Sequence, residues 1–99
     1  MPQRPVFMEK LGKHDPEFFE LVKGVMKKAQ GPGALDHETK ILIALALDAA
    51  GGHPGGVKYL AAAARALGAT EEEIIEVVRL AFLYSGIPGL VSGLAAYQA

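Results

Sequence analysis

Residues 37–68, "HETKILIALALDAAGGHPGGVKYLAAAARALG", contain the strongest folding signals of this chain. An uninterrupted apolar run, residues 41–47, leads into a glycine-rich loop and then into an alanine-rich segment that ends at Gly68. Asp36 can cap the first segment, and glycine is the usual residue just past a helix C-terminus. The stretch therefore predicts two helices joined by a short loop. The first is apolar on every side, so we expect it to be covered on every side.

Helix signals continue on both sides of this stretch, and no segment shows the alternation typical of a strand. Upstream, Asp15 and Pro16 provide an N-cap and a first helical position. Downstream, Thr70 and Glu73 form a capping box, and "SGIPG" precedes a last helix over about residues 88–97. We predict an all-α chain of about five short helices, folded as a single domain over residues 1–99. The helix that begins at Pro16 carries an apolar stripe, formed by Phe18, Phe19, Leu21, Val22, Val25 and Met26.

Composition excludes several kinds of partner and chemistry. The formal net charge is −1, which argues against nucleic acid or an anionic membrane surface as a partner. The chain has no cysteine, so disulfides, thiolate metal sites and thiol redox chemistry are excluded. His14, His37 and His53 lie on separate elements without the close spacing of a metal site. We therefore expect neither a metal nor a cofactor.

The two ends of the chain predict a location outside the membrane. Residues 1–14 lack the apolar core of a secretory signal. Residues 80–99 carry no formal charge and match a membrane span in length, but three glycines, a proline, two serines and a glutamine interrupt them. We expect a cytoplasmic protein. The absence of Asn and Cys suits a thermophile.

The apolar surface of the second half predicts self-association. After Arg79 the chain has no charged side chain, and a chain of 99 residues is too short to bury so many apolar residues by itself. We therefore expect a homo-oligomer. The alternative is that these apolar stretches pack on one another within one chain.

The run over residues 39–97 resembles the carboxymuconolactone decarboxylase family, which includes the alkylhydroperoxidase AhpD-like proteins. The resemblance is carried by "LIALAL" on a helix, by an alanine-rich helix closing with "ALGAT", by the acidic opening "EEEI" and by "YSGIPG" before the terminal helix. It is strongest over residues 36–97. The resemblance implies an AhpD-like orthogonal helical domain that assembles as a trimer or hexamer.

The catalytic residues of the family's peroxidase branch are missing from this chain. That branch carries a glutamate, a Cys-x-x-Cys motif and a histidine four residues after the second cysteine. These four places fall here on Ile41, His53, Gly56 and Leu60, so none of the four is kept. The decarboxylase branch has no cysteine pair, but it shares the histidine at the place of Leu60. We expect no thiol peroxidase activity.

Two side chains beside the glycine-rich loop are candidates for catalysis. His53 can titrate near neutrality, and it is either a general acid or base, or a loop residue that faces solvent or caps a helix end. Asp48 lies near the C-terminus of an otherwise apolar helix, where a carboxylate is disfavoured by about 0.3–1 kcal/mol. A compensating interaction is therefore expected. Asp48 either accepts hydrogen bonds from the backbone of the following turn or orients His53.

The start of the helix after the loop is a candidate anion site. Gly55 and Gly56 would offer unpaired N–H groups there, and Lys58 would add a nearby cation. A small carboxylate can bind such a site. The alternative is that the glycines let the loop pass close to another helix. Tyr59 and Tyr84 are candidates to line a cleft, and packing in the core is the alternative for both.

These features leave two functions open. In the first, the chain is a family member without the peroxidase dithiol that binds or acts on a small carboxylated molecule, such as a lactone or keto acid. Gly55, Gly56 and Lys58 would hold its carboxylate, His53 would transfer a proton, and Asp48 would orient His53. In the second, the chain is a non-catalytic oligomeric protein that kept the fold and serves as a ligand-binding or scaffold unit.

Overall fold

The structure is a computed structural model that describes residues 6–98, and helices are the sole regular elements in that range. This confirms the predicted all-α class. The chain forms two compact units, residues 1–33 and residues 34–99. The first unit contains α1 (Val6–His14) and α2 (Pro16–Gln30). The second unit contains α3 (His37–Ala50), α4 (Pro54–Ala66), α5 (Glu71–Ser85), α6 (Ile87–Gly93) and a final 3₁₀ turn (Leu94–Ala96).

The first unit is a pair of helices that pack through an aromatic ring. The Asp15 carboxylate caps α2 by accepting a hydrogen bond from Phe18 N at 3.1 Å, as predicted. Phe19 is buried, and its ring lies 3.2 Å from the point where a Cβ on Gly12 of α1 would stand. The helix α1 is an addition to the five predicted helices. Its sequence has few local signals, and it is short enough to depend on packing for stability.

The apolar stripe predicted for α2 is packed on one side alone. Phe19 is buried, and Val22 and Met26 are half-buried. The remaining members of the stripe are exposed: Phe18, Leu21 and Val25. Within the single chain, the stripe is therefore buried only in part. Six apolar residues within nine positions cover more of a helix than one neighbouring helix can bury.

The core of the second unit is made mostly of small and β-branched side chains. These let α3, α4 and α5 approach closely, and they are buried almost completely: Leu45, Ala49, Val57, Ala61, Ile74, Val78, Ala81 and Ala96. On α3, however, Ile43 and Leu47 are exposed, Leu47 by 68%. The expectation that α3 is covered on every side is therefore not met within a single chain.

The predicted helix caps of the second unit are confirmed. Asp36 Oδ1 accepts from Thr39 N at 2.8 Å. Hydrogen bonding from the Thr39 side chain, and secondly from this backbone N–H, lowers the pKa of Asp36 below its ordinary value. Thr70 Oγ1 accepts from Glu73 N at 3.1 Å, while Thr70 N donates to Glu73 Oε1 at 2.8 Å. These bonds pair backbone N–H groups that would otherwise lack partners at a helix start.

Arg65 joins three elements at the end of the second unit. Its Nε and Nη2 donate to both carboxylate oxygens of Glu71, at 2.6 and 2.8 Å. Nη2 also donates to the carbonyl of Ala96 at 2.7 Å, 31 residues away. The hydrogen-bonded guanidinium lowers the pKa of Glu71 below its ordinary value. The last helix was predicted to run to Tyr97 without a break, but it changes to a 3₁₀ turn at the segment that Arg65 binds.

Within residues 6–98, no helix combines the length and the apolar character needed to cross a membrane.

Candidate functional site

A three-residue loop, residues 51–53, reverses the chain between α3 and α4. Gly51 N donates to Leu47 O at 2.9 Å, and His53 N donates to Asp48 O at 2.9 Å. Gly52 has a φ of +79°, a left-handed conformation that glycine adopts without steric cost. α4 then begins at Pro54, with His53 as its N-cap residue. The loop places the end of α3 directly beside the start of α4.

The Asp48 side chain extends from α3 to the first turn of α4, where it lies against Gly56. A Cβ on residue 56 would overlap Asp48 Oδ2 and would lie 2.9 Å from Asp48 Cγ. Position 56 is therefore glycine because the carboxyl group fills the space of a side chain. The start of a helix carries partial positive charge, which offsets the unfavourable place of Asp48 near the end of α3.

The His53 imidazole lies close to Gly51, at the end of α3. Its Cε1 and Nδ1 lie 3.4 and 3.5 Å from the point where a Cβ on Gly51 would stand. The ring therefore packs over the end of α3, and it forms no side-chain capping bond to α4. In the part of the chain that the structure describes, no hydrogen bond joins His53 to the Asp48 carboxylate. The imidazole thus lies against Gly51, and the carboxylate lies against Gly56.

Ser92 of α6 borders the same loop and was not identified from the sequence. Among residues 7–98 it is the one buried polar side chain, with 8% of its surface exposed. Its Oγ lies 4.0 Å from the point where a Cβ on Gly52 would stand. In the sequence, a single serine in an uncharged helix with two glycines is more typical of close helix packing than of a site.

The other predicted site residues differ in their exposure and in the space around them. Gly55 has open space where a Cβ would stand, unlike Gly56. Lys58 is exposed, and neither it nor Asp48 forms an ion pair with another residue of the described range. Tyr59 is partly exposed. Tyr84, at the end of α5, is 84% exposed, so within one chain it makes few contacts with the loop residues.

Metal binding has no support in the geometry. Across residues 6–98, no three His, Cys, Asp or Glu side chains come together as a group able to hold a metal ion.

Comparison with known proteins places the fold and this loop in a family. The sequence profile of the carboxymuconolactone decarboxylase family matches residues 16–99. The chain belongs to this family. The match to the carboxymuconolactone decarboxylase family begins about twenty residues before the segment in which the resemblance is strongest, so it includes α2.

Two solved structures support the assignment to the carboxymuconolactone decarboxylase family. A family protein from Legionella pneumophila is 34% identical, with a TM-score of 0.80 over 90% of this chain and 80% of its own. A provisionally assigned carboxymuconolactone decarboxylase from Burkholderia xenovorans is 26% identical, with a TM-score of 0.89 over 97% of this chain and 76% of its own. An uncharacterized protein of Methanocaldococcus jannaschii is 30% identical over 89 residues, which are 90% of this chain and 83% of that protein.

This carboxymuconolactone decarboxylase family member lacks the Cys-x-x-Cys motif, because its sequence contains no cysteine. The resemblance places the second cysteine of the peroxidase branch at Gly56. There the Asp48 carboxyl group fills the space of the absent side chain. A carboxylate from α3 thus stands close to where the peroxidase branch has a thiol.

Proposed function

We propose that this chain binds a small carboxylated molecule, a lactone or keto acid, beside the loop at residues 51–53 and moves a proton on it without cysteine chemistry. The observation that carries the proposal is the contact of Asp48 with Gly56. Asp48 is half-buried, and the family resemblance aligns Gly56 with the second cysteine of the peroxidase branch. Carboxylates in such positions are common general bases.

The charges around the loop support a carboxylated ligand. Lys58 is exposed and forms no ion pair with a described residue, so its ammonium group is available to a ligand. His53 is exposed in the loop before α4, and an imidazole N–H can donate a hydrogen bond to a carboxylate. Gly55 has open space at the first turn of α4, where backbone N–H groups favour an anion. In this proposal Lys58, His53 and Gly55 hold the ligand carboxylate, and Gly56 gives Asp48 its space.

The proposed reaction is a proton transfer that needs no oxidant or reductant. Asp48 accepts a proton from the carbon next to the ligand's carbonyl group, and the electron pair of that C–H bond moves to form an enolate. Asp48 then returns the proton, to the same carbon or to another carbon of the enolate system. This role for Asp48 replaces the orienting role expected from the sequence, because no hydrogen bond joins its carboxylate to the His53 imidazole within the described residues.

Hydrogen–deuterium exchange tests the proposal directly. Levulinate, a keto acid, and paraconate, a carboxylated lactone, are incubated with the protein in D₂O, and loss of the proton signals next to the carbonyl is followed by NMR. We expect the wild type to accelerate the exchange of at least one of them. Asp48→Asn should reduce this acceleration at least tenfold. Asp36→Asn is the matched control, because Asn keeps the helix cap while removing the same charge.

Two results would contradict the proposal. One is exchange by Asp48→Asn at the wild-type rate. The other is wild-type protein that binds levulinate or paraconate and accelerates the exchange of neither. The second result would leave the loop as a binding site without acid–base chemistry.

A second candidate function is a non-catalytic homo-oligomer that binds ligands or serves as a scaffold. It is favoured by the apolar side chains that the second unit leaves exposed: Ile43, Leu47, Leu80, Phe82, Leu83, Ile87, Val91 and Leu94. Surfaces of this kind mark interfaces between proteins. The family resemblance implies a trimer or hexamer. Light scattering after size exclusion tests this assembly, with a multiple of 10.4 kDa expected.

A further inference from the structure

We infer that the Ser92 hydroxyl is a ligand-binding group of the Asp48 site and donates a hydrogen bond to a carbonyl or carboxylate oxygen of the bound molecule. The class of ligand rests on the function proposed above. The role of Ser92 rests on separate observations, which concern its burial, its lack of a partner and its position beside Gly52.

The first observation is that the hydroxyl of a mostly buried serine has no hydrogen-bond partner among the described residues. A serine within a helix usually bonds the carbonyl four residues earlier, as Ser85 does with Ala81 O at 2.5 Å. Ser92 is 8% exposed, yet it forms no bond of this kind with any described residue. Water or a ligand is therefore left to pair with this hydroxyl. A ligand oxygen provides the missing partner.

The second observation is that the hydroxyl is open to solvent. Across the described residues, every side-chain N or O atom that is fully shielded from solvent has a hydrogen-bond partner. Ser92 Oγ has no partner, so part of the exposed 8% of Ser92 belongs to the oxygen itself. Solvent therefore reaches the hydroxyl.

The third observation is the position of Ser92 relative to the loop. Ser92 Oγ approaches Gly52 in the loop. Gly52 follows Asp48 by four residues and directly precedes His53. Because Gly52 has no side chain, the Ser92 hydroxyl faces the loop backbone directly. Asp48, from α3, and Ser92, from α6, thus reach the loop from two helices that pack together.

The two groups complement each other chemically. An ionised carboxylate is an acceptor of hydrogen bonds, whereas a hydroxyl is also a donor. When Asp48 removes a proton beside a carbonyl group, negative charge develops on the carbonyl oxygen. A donor fixed at that oxygen stabilises the enolate. Ser92 supplies such a donor close to the loop.

The absence of cysteine gives a direct test, because Ser92→Cys creates the single thiol of the protein. Iodoacetate is a small carboxylate that alkylates thiols, and iodoacetamide is its neutral counterpart. We measure the alkylation rates of the folded Ser92→Cys protein with both reagents. Ser85→Cys is the control, since the Ser85 hydroxyl bonds within its own helix. We expect the iodoacetate to iodoacetamide rate ratio to be at least threefold higher at position 92 than at position 85.

A second measurement keeps the test valid if the cysteine variant folds poorly. Ser92→Ala should weaken the binding of paraconate about tenfold without lowering the melting temperature, because the hydroxyl has no partner to lose. Ser85→Ala should leave paraconate binding unchanged. A purely structural role predicts the reverse, a lower melting temperature with unchanged affinity.

The outcomes separate this inference from the proposed function. Equal rate ratios at positions 92 and 85, or unchanged paraconate binding by Ser92→Ala, would overturn the role of Ser92. A raised ratio at position 92, together with full exchange activity in Asp48→Asn, would support the binding hydroxyl and overturn the proton transfer by Asp48.

Discussion

Asp48 and Gly56 are in direct contact across the loop between α3 and α4, and the carboxyl group of one fills the side-chain space of the other. The contact explains both an isolated acid on an apolar helix and a glycine in the first turn of the next helix. Because of this contact, we expect substitution of Gly56 and of its neighbour Gly55 to change stability in different ways.

Gly56→Ala should destabilise the protein by about 1–3 kcal/mol, because a methyl group there overlaps the Asp48 carboxylate and forces it aside. Gly55→Ala is the matched control. Nothing lies within 4 Å of a Cβ at position 55, so alanine should be neutral or stabilise by about 0.4–1 kcal/mol. Urea unfolding followed by circular dichroism measures both values. Equal effects at the two positions would show that the contact does not determine the choice of glycine.

Arg65→Met should lower the free energy of unfolding by about 1–3 kcal/mol. The substitution keeps most of the side-chain volume but removes the bonds to Glu71 and to the carbonyl of Ala96. Arg79→Met, at an exposed position, should change stability by less than about 0.5 kcal/mol. The two variants are compared by urea unfolding near neutral pH. Similar stabilities for both would contradict a structural role for Arg65.

Stability should fall in acid because of Glu71. Its pKa is lower in the folded protein than its ordinary value of 4.5, so the unfolded chain binds the proton more readily. The stabilisation is therefore fully present above about pH 4.5, and it is lost as the pH falls through the lower, folded pKa. Glu71→Gln should show a shallower loss of unfolding free energy below that pH. Asp36, whose pKa is also lowered, contributes with the same sign in both proteins. Parallel pH profiles would contradict the prediction.

Leu83→Glu and Val91→Glu should weaken or abolish self-association, because a charge at the centre of an apolar interface must be desolvated. Glu76→Lys, an exposed change on the same helix as Leu83, is the control for a general effect of charge. Multi-angle light scattering gives the mass of each variant. A wild-type mass of a single chain at every concentration would contradict the homo-oligomer.

The sequence predicted the helices of the second unit well, because their boundaries depend on interactions between neighbours in the chain. Asp36 caps through a residue three positions away, and Thr70 and Glu73 cap each other over the same distance. The helix α1 was missed because a short segment with few local signals forms a helix mainly through packing. The uncovered face of α3 was missed because an apolar run does not indicate which of its sides a neighbour reaches.

The candidate site was also predicted from the sequence only in part. The sequence by itself determined that the chain is helical, that the loop contains His53 and is rich in glycine, and that no thiol is present. Tertiary structure alone decided that Asp48 lies on Gly56, that Ser92 approaches Gly52 and that Arg65 binds the carbonyl of Ala96. The physical reason is the distance along the sequence over which each kind of interaction acts. Caps and helical periodicity act over three or four residues, whereas these contacts join different elements of the fold and depend on how those elements cross and how closely their backbones approach.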